Sequence, residues 1–183
     1  MNLTVRDKVL IAIFAALTAI GAFISIPIPY VPFTMQFFFS SISGIILGSK
    51  KGALSQLLYI LIGLIGIPVF TKGGGPQYIF QPTFGYLIGL VIAAFIIGKI
   101  VEIGNNRFKS LLLANLVGII FIYIIGVTYF YLITKFYLGV NITIKVVIYN
   151  GVLLTIPGDI LKSIVTALIG NKVVSRMKSK IYI

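Results

Sequence analysis

The chain has 183 residues, 59% of them hydrophobic and 10% charged, with fifteen Lys plus Arg against three Asp plus Glu, no histidine and no cysteine. Soluble domains run about 45–50% apolar and about 25% charged, so these proportions exclude an ordinary soluble domain and place the chain in lipid. Without Cys or His there is no thiolate or imidazole metal site, no His-activated nucleophile and no disulfide, and a net charge of +12 scattered between apolar runs reads as membrane topology rather than nucleic-acid binding.

A membrane span needs roughly 20 mostly apolar residues, and six runs approach that length. The first, 9–26, ends at Pro27-Ile28-Pro29-Tyr30-Val31-Pro32, where prolines deny a helix its donors. Arg6 and Lys8 before it resemble the start of a signal peptide, but later segments are equally apolar, so it is read as a retained first span. Ala12 and Ala16 share one stripe of this helix, and Ala15 and Ala19 lie on a neighbouring one. Small residues at such spacing offer a surface for close helix approach. The second run, 33–47, stops at Gly48-Ser49-Lys50-Lys51-Gly52; the third, 53–67, is broken by Pro68. A Gly- and Pro-rich segment follows to Pro82, then runs at 84–101, 111–133 and 146–169. Gly44 with Gly48, and Gly85 with Gly89, repeat the small-residue spacing, which reads as bundle packing. The expectation is one integral membrane domain over residues 1–183, all-α, with six transmembrane helices.

Placed on alternate sides, the basic residues divide unequally. Arg6, Lys8, Lys50, Lys51, Lys99, Arg107, Lys109, Lys172, Arg176, Lys178 and Lys180 fall on one side; Lys72, Lys135 and Lys145 fall on the other. The positive-inside rule then makes both termini cytoplasmic and turns the loops after spans one, three and five outward. Pro29, Pro32, Gly73, Gly74 and Gly75 therefore lie outside, over the bundle, where glycine and proline punctuation suits loops that move during ligand release.

Asp7 and Glu102 lie near span ends beside basic residues, but Asp159 stands inside the sixth run with Lys162 three positions on. Each such charge costs about 2.5–3.5 kcal/mol at a helix centre, which makes an intramembrane pair a candidate functional site. Thr155, Asp159, Lys162, Ser163 and Thr166 share one helix face, and Pro157 interrupts the backbone ladder beside them. A carboxylate accepts N–H donors and an ammonium donates to a carbonyl or carboxylate, so the two suit a small molecule with amide-like and acidic groups. Mutual neutralisation within the bundle is the plainer alternative. The outer segment from Phe70 to Tyr86 supplies walls for such a site through Gln77, Tyr78 and Tyr86, with Gln36 placed beside the outer loops by its polarity. Tyr78 and Tyr86 also suit an interfacial aromatic belt. The phosphate-cradling pattern G-x-x-x-x-G-K-[ST] is absent, so the chain carries no nucleotide motif of that kind.

These residues resemble a known family. Pro27-Ile-Pro-Tyr-Val-Pro-Phe-Thr-Met-Gln36, Gly66-Ile-Pro-Val-Phe70, Gly73-Gly74-Gly75, Pro82-Thr-Phe-Gly-Tyr-Leu-Ile-Gly89 and Pro157-Gly-Asp-Ile-Leu-Lys162, in this order, are similar to the BioY family, the biotin-binding S components of energy-coupling factor transporters. The resemblance implies a six-helix S-component bundle in the cell membrane, capture of biotin from outside, and association with a transmembrane T component and two cytoplasmic ATPases. It implies that Asp159 and Lys162 contact biotin, that Thr83 and Tyr86 belong to the site, and that the alanine face of span one meets the T component. It implies neither a cofactor nor a catalytic residue. Gln81 and Phe84 depart from the pattern, standing where the family usually has glycines. An S component for another vitamin, such as riboflavin or thiamine, is the alternative within the same class. A membrane-embedded enzyme using Asp159 as acid or base is the alternative outside it; it lacks a second carboxylate within the spans.

Overall fold

Thr4 starts the first helix. Its hydroxyl accepts from the Asp7 amide at 3.2 Å and Asp7 Oδ2 accepts from the Thr4 amide at 3.1 Å, a reciprocal cap that begins α1 over Val5–Phe23. The structure, a computed structural model, describes residues 3–104 and 107–179; Lys180, one of the basic residues counted above, lies outside them.

The helix stops short of the run that ends at residue 26, because Ser25–Ile26 (β1) pairs antiparallel with Phe33–Thr34 (β2), Ser25 opposite Thr34 and Ile26 opposite Phe33. The three prolines lie in the connection, with Tyr30 at a φ of 67° near its tip. The second helix therefore begins later than the apolar run at 33, giving α2 over Gln36–Leu47. Gly48, at a φ of 81°, alone separates it from α3, Ser49–Leu64. A short 3₁₀ turn at Pro76–Phe80 precedes α4, Phe84–Ile103. Then come α5, Phe108–Leu132, extended by a π-helical turn at Ile133–Tyr137, and α6, Ile144–Ile148, joined through a second π-helical turn at Tyr149–Leu153 to α7, Ile156–Ser179. The sixth apolar run is thus a broken rod rather than one regular helix. Pro157 stands in the first turn of α7, where a helix asks for no amide donor, and not in a continuous ladder.

Three stretches, Phe84–Ile103, Phe108–Tyr137 and Ile144–Val174, are long and apolar enough to cross a membrane. The twelve residues of α2 rise about 18 Å, well under a hydrocarbon core of about 30 Å. Loops 24–35 and 65–83 make up the difference at one end. Irregular backbone at such depth is tolerated where it is buried in protein or lines a cavity.

The core forms around α4, which packs against α2, α3 and α5, with Ala93, Ala94 and Ile97 fully buried. Gly44 and Gly98 let the backbones of α2, α3 and α4 approach closely, while Gly85 and Gly89 do the same toward α5. Buried side chains add polar ties between helices. Gln56 of α3 accepts from Thr18 of α1 at 3.2 Å and donates to Ser43 of α2 at 3.2 Å, while Asn115 of α5 donates to Thr166 of α7 at 3.0 Å and accepts from Ser41 of α2. The end opposite the two loops is clasped by charge. Lys51 reaches Asp7 Oδ1 at 2.5 Å, tying α3 to α1, and Glu102 accepts from the Ser49 amide at 2.7 Å and its hydroxyl at 2.8 Å, so the carboxylate caps α3. Glu102 therefore does more than meet solvent beside Lys99.

Candidate functional site

Because α7 begins at Ile156, Asp159 sits in its first turn, where the helix dipole favours a negative charge, and Lys162 follows on the same face. Asp159 Oδ1 and Lys162 Nζ are 2.5 Å apart, with the two side chains 13% and 7% exposed. Neither relies on the other alone. Asp159 Oδ2 accepts from the Tyr123 hydroxyl of α5 at 2.5 Å; Lys162 Nζ donates to the Thr34 carbonyl of β2 at 2.7 Å and lies 4.0 Å from the Phe33 ring centroid. A buried ion pair offsets its desolvation only when such additional bonds complete it.

The pair lines a half-open cavity, whose space with its open mouth included is about 600 Å³. Phe33, Phe37, Leu87, Leu90 and Ile122 give it apolar walls. Among the residues expected from sequence, Asp159, Lys162, Gln36, Tyr78, Thr83 and Tyr86 all border this one space, although they come from three separate parts of the chain. Gln36 accepts from the Thr34 hydroxyl at 2.9 Å and donates to Tyr59 at 2.8 Å; Tyr59 in turn donates to the Val69 carbonyl at 3.1 Å, so both covering loops are tied to the cavity wall. Tyr78 shares a hydrogen bond with Thr71 at 3.0 Å. Tyr86 donates to the Gly151 carbonyl at 3.1 Å, an approach that a Cβ at position 151 would block.

Other expected residues lie elsewhere. Gln77 does not border the cavity: the 3₁₀ turn points Tyr78 inward and leaves Gln77 outside, donating to the Gly74 carbonyl at 2.7 Å. Of the loop residues, Pro32 lines the cavity, whereas Pro29 accepts from the Val31 amide at 2.9 Å within its own loop. Gly73, Gly74 and Gly75 are not in the lining. Gly73 closes a tight turn with Phe70, and the Gly75 amide donates to the Gly63 carbonyl at 2.7 Å, so the close approach that glycine permits here is to the end of α3. On α1, Ala12 and Ala16 are exposed, Ala19 is half-buried and Ala15 is 2% exposed, which turns Ala15 into the bundle and away from any partner.

Sequence reasoning does not find Tyr123, Phe33 or Phe37, which line the cavity, or Tyr59, which holds Gln36 from behind. Phe33 and Phe37 look like ordinary members of an apolar run, and Tyr123 is one of several tyrosines in α5. The usable signal was indirect, since a carboxylate inside a span requires a donor from a neighbouring helix.

Among the described residues, six helical rods surround a largely apolar cavity that carries one buried ion pair beneath the loops 24–35 and 65–83, and the class of this membrane protein follows from what that fold matches. The fold matches the solved "S-component for biotin from an ECF-type ABC transporter" with a TM-score of 0.78 and 29% identity over 95% of each chain. Residues 1–179 match the BioY family, and the chain belongs to that family. It is 44% identical over 172 residues to a probable biotin transporter BioY of Lysinibacillus sphaericus, covering 93% of this chain and 88% of that one. It is 38% identical over 165 residues to the biotin transporter BioY of Thermotoga maritima, covering 90% and 93%.

Proposed function

We propose that this protein is the biotin-binding subunit of an energy-coupling factor transporter of the cell membrane, taking biotin into the cavity beside Asp159 and Lys162. The observation that carries the reading is the ion pair in the cavity wall of a BioY-family chain. The ureido ring of biotin offers two N–H groups to acceptors and a carbonyl to a donor, its thiophane suits the Phe33, Phe37 and Leu87 walls, and its valerate is an anion. Asp159 accepts a ureido N–H, and Lys162 supplies the positive charge of the site.

Among the described residues, Arg6, Lys8, Lys50, Lys51, Lys99, Arg107 and Lys109 stand at the helix ends opposite the loops 24–35 and 65–83, so the positive-inside rule turns the cavity outward and leaves both termini in the cytoplasm. Capture is from outside, and release inward follows displacement of the loop after α1 or α3. With no G-x-x-x-x-G-K-[ST] pattern in the chain, energy comes from partner polypeptides, a T component and two ATPases. The exposed Ala12 and Ala16 stripe of α1 gives the T component a surface for close helix packing. The protein binds and releases its substrate unaltered, as a transport subunit and not an enzyme.

Equilibrium binding of radiolabelled biotin to the purified protein, with unlabelled riboflavin and thiamine as competitors, tests the reading. Saturable binding displaced only by biotin supports it; no saturable binding, or displacement by another vitamin at equal concentration, rejects it.

A further inference from the structure

The directions of the hydrogen bonds around Asp159 follow from counting protons. Tyr123 has one hydroxyl proton and two neighbours, Asp159 Oδ2 at 2.5 Å and Thr155 Oγ1 at 3.1 Å. The carboxylate of an ion pair can only accept, so Tyr123 gives its proton to Asp159 and can only accept in its contact with Thr155. The Thr155 hydroxyl proton has two acceptors in reach, Tyr123 at 3.1 Å and the Val152 carbonyl at 3.2 Å; the shorter contact is the one to Tyr123, and the carbonyl also receives the Thr155 amide at 3.0 Å. Both members of this chain are buried, Tyr123 at 9% and Thr155 at 5% exposure. From the opposite side, Lys162 donates to Oδ1, to the Thr34 carbonyl, and points its charge at the Phe33 ring. The carboxylate is thus clamped through both oxygens, each with a remaining lone pair, and hydrogen bonds in series polarise one another.

We propose that Thr155 and Tyr123 form a one-way donor relay ending on Asp159, and that Tyr123 is the positioning residue through which the site selects ligands presenting an N–H. The relay keeps the carboxylate at one orientation and in a purely accepting role, so a ligand that offers only acceptors meets an unfavourable pairing. This rests on the biotin reading given above. It adds that selectivity at Asp159 is set by a residue on another helix acting through that carboxylate.

The test is a set of biotin-binding affinities for Tyr123→Phe, Thr155→Val, Asp159→Asn and the pairwise combinations. Phe keeps the ring and removes only the donor. This bond is present before the ligand arrives, so Tyr123→Phe loses affinity only through the loosened carboxylate, about tenfold in the wild-type background, at the low end of what a hydrogen bond to a charged group is worth. In the Asp159→Asn background the same change should cost about threefold or less, and Thr155→Val should weaken binding about two- to fivefold alone and not at all once Tyr123 is Phe. A packing role for Tyr123 would give additive losses, and additivity in either cycle overturns the proposal. The Thr155–Tyr123 cycle decides the matter even if Asp159→Asn binds too weakly to measure. Wild-type protein that binds no biotin defeats the functional reading and this inference together; wild-type binding with an unchanged Tyr123→Phe affinity defeats this inference alone.

Discussion

Lys162→Met separates what the ion pair does for the fold from what it does for the ligand. Methionine keeps an unbranched stem against Phe33 and Phe37 but removes the ammonium, so Asp159, whose side chain is 13% exposed, is left with Tyr123 as its remaining donor. Removing one partner of a buried pair costs about 3–5 kcal/mol. At roughly 2–4 °C per kcal/mol for a chain of this length, the melting temperature should fall by about 6–20 °C. In Asp159→Asn/Lys162→Met no uncompensated charge remains, and replacing a buried pair with uncharged groups is often neutral or stabilising, so most of the lost stability should return. Binding should not return: the double variant lacks both the charged acceptor and the cation and should hold biotin at least about 1.5–3 kcal/mol more weakly than wild type. Thermal unfolding of detergent-solubilised protein followed by tryptophan-independent dye fluorescence reads the first quantity, and equilibrium biotin binding reads the second. A single variant as stable as wild type, or a double variant with wild-type affinity, would refute the reasoning.

The exposed and buried alanines of α1 should respond oppositely. Ala15→Leu overpacks a position 2% exposed and should destabilise by about 1–3 kcal/mol in a melting assay, whereas Ala16→Trp should leave biotin binding intact and reduce ATP-driven uptake when partner subunits are supplied. The Asp7 carboxyl is held below its usual 3.8, first by the Lys51 ammonium and then by the Thr4 hydroxyl and amide. A carboxyl lowered in the folded state contributes stability above its unfolded value and loses it as pH falls through the folded value, so wild type and Asp7→Asn should differ at neutral pH and converge below pH 3.8, as measured by melting across pH.

Helix-forming segments were legible in the sequence because a bilayer leaves few options: apolar runs of near-spanning length must satisfy their backbone internally. What hydropathy could not resolve is how the runs end. Ser25–Ile26 and Phe33–Thr34 lie at the ends of apolar runs that continue into the helices beside them, and only their pairing across the prolines makes them strands. The π-helical turns at 133–137 and 149–153 likewise leave no mark in an apolar pattern. In the site, Asp159 and Lys162 stood out because a charge within a span demands a reason, and the structure sets them side by side in a cavity wall. Gln77 and Ala15 show the limit of this kind of reading. Polarity near a loop does not say which way a 3₁₀ turn points, and adjacent alanine stripes do not say which one faces the bundle. Tyr123 was hidden for the opposite reason, since its role is defined by a residue on another helix.

The most direct test is a structure of the protein with biotin bound. The account expects the ureido ring against Asp159, with a ring nitrogen within about 3.2 Å of a carboxylate oxygen and the ring enclosed by Phe33, Phe37 and Tyr86. Biotin seated elsewhere, or held in this cavity with the Asp159–Lys162 pair untouched, would contradict it.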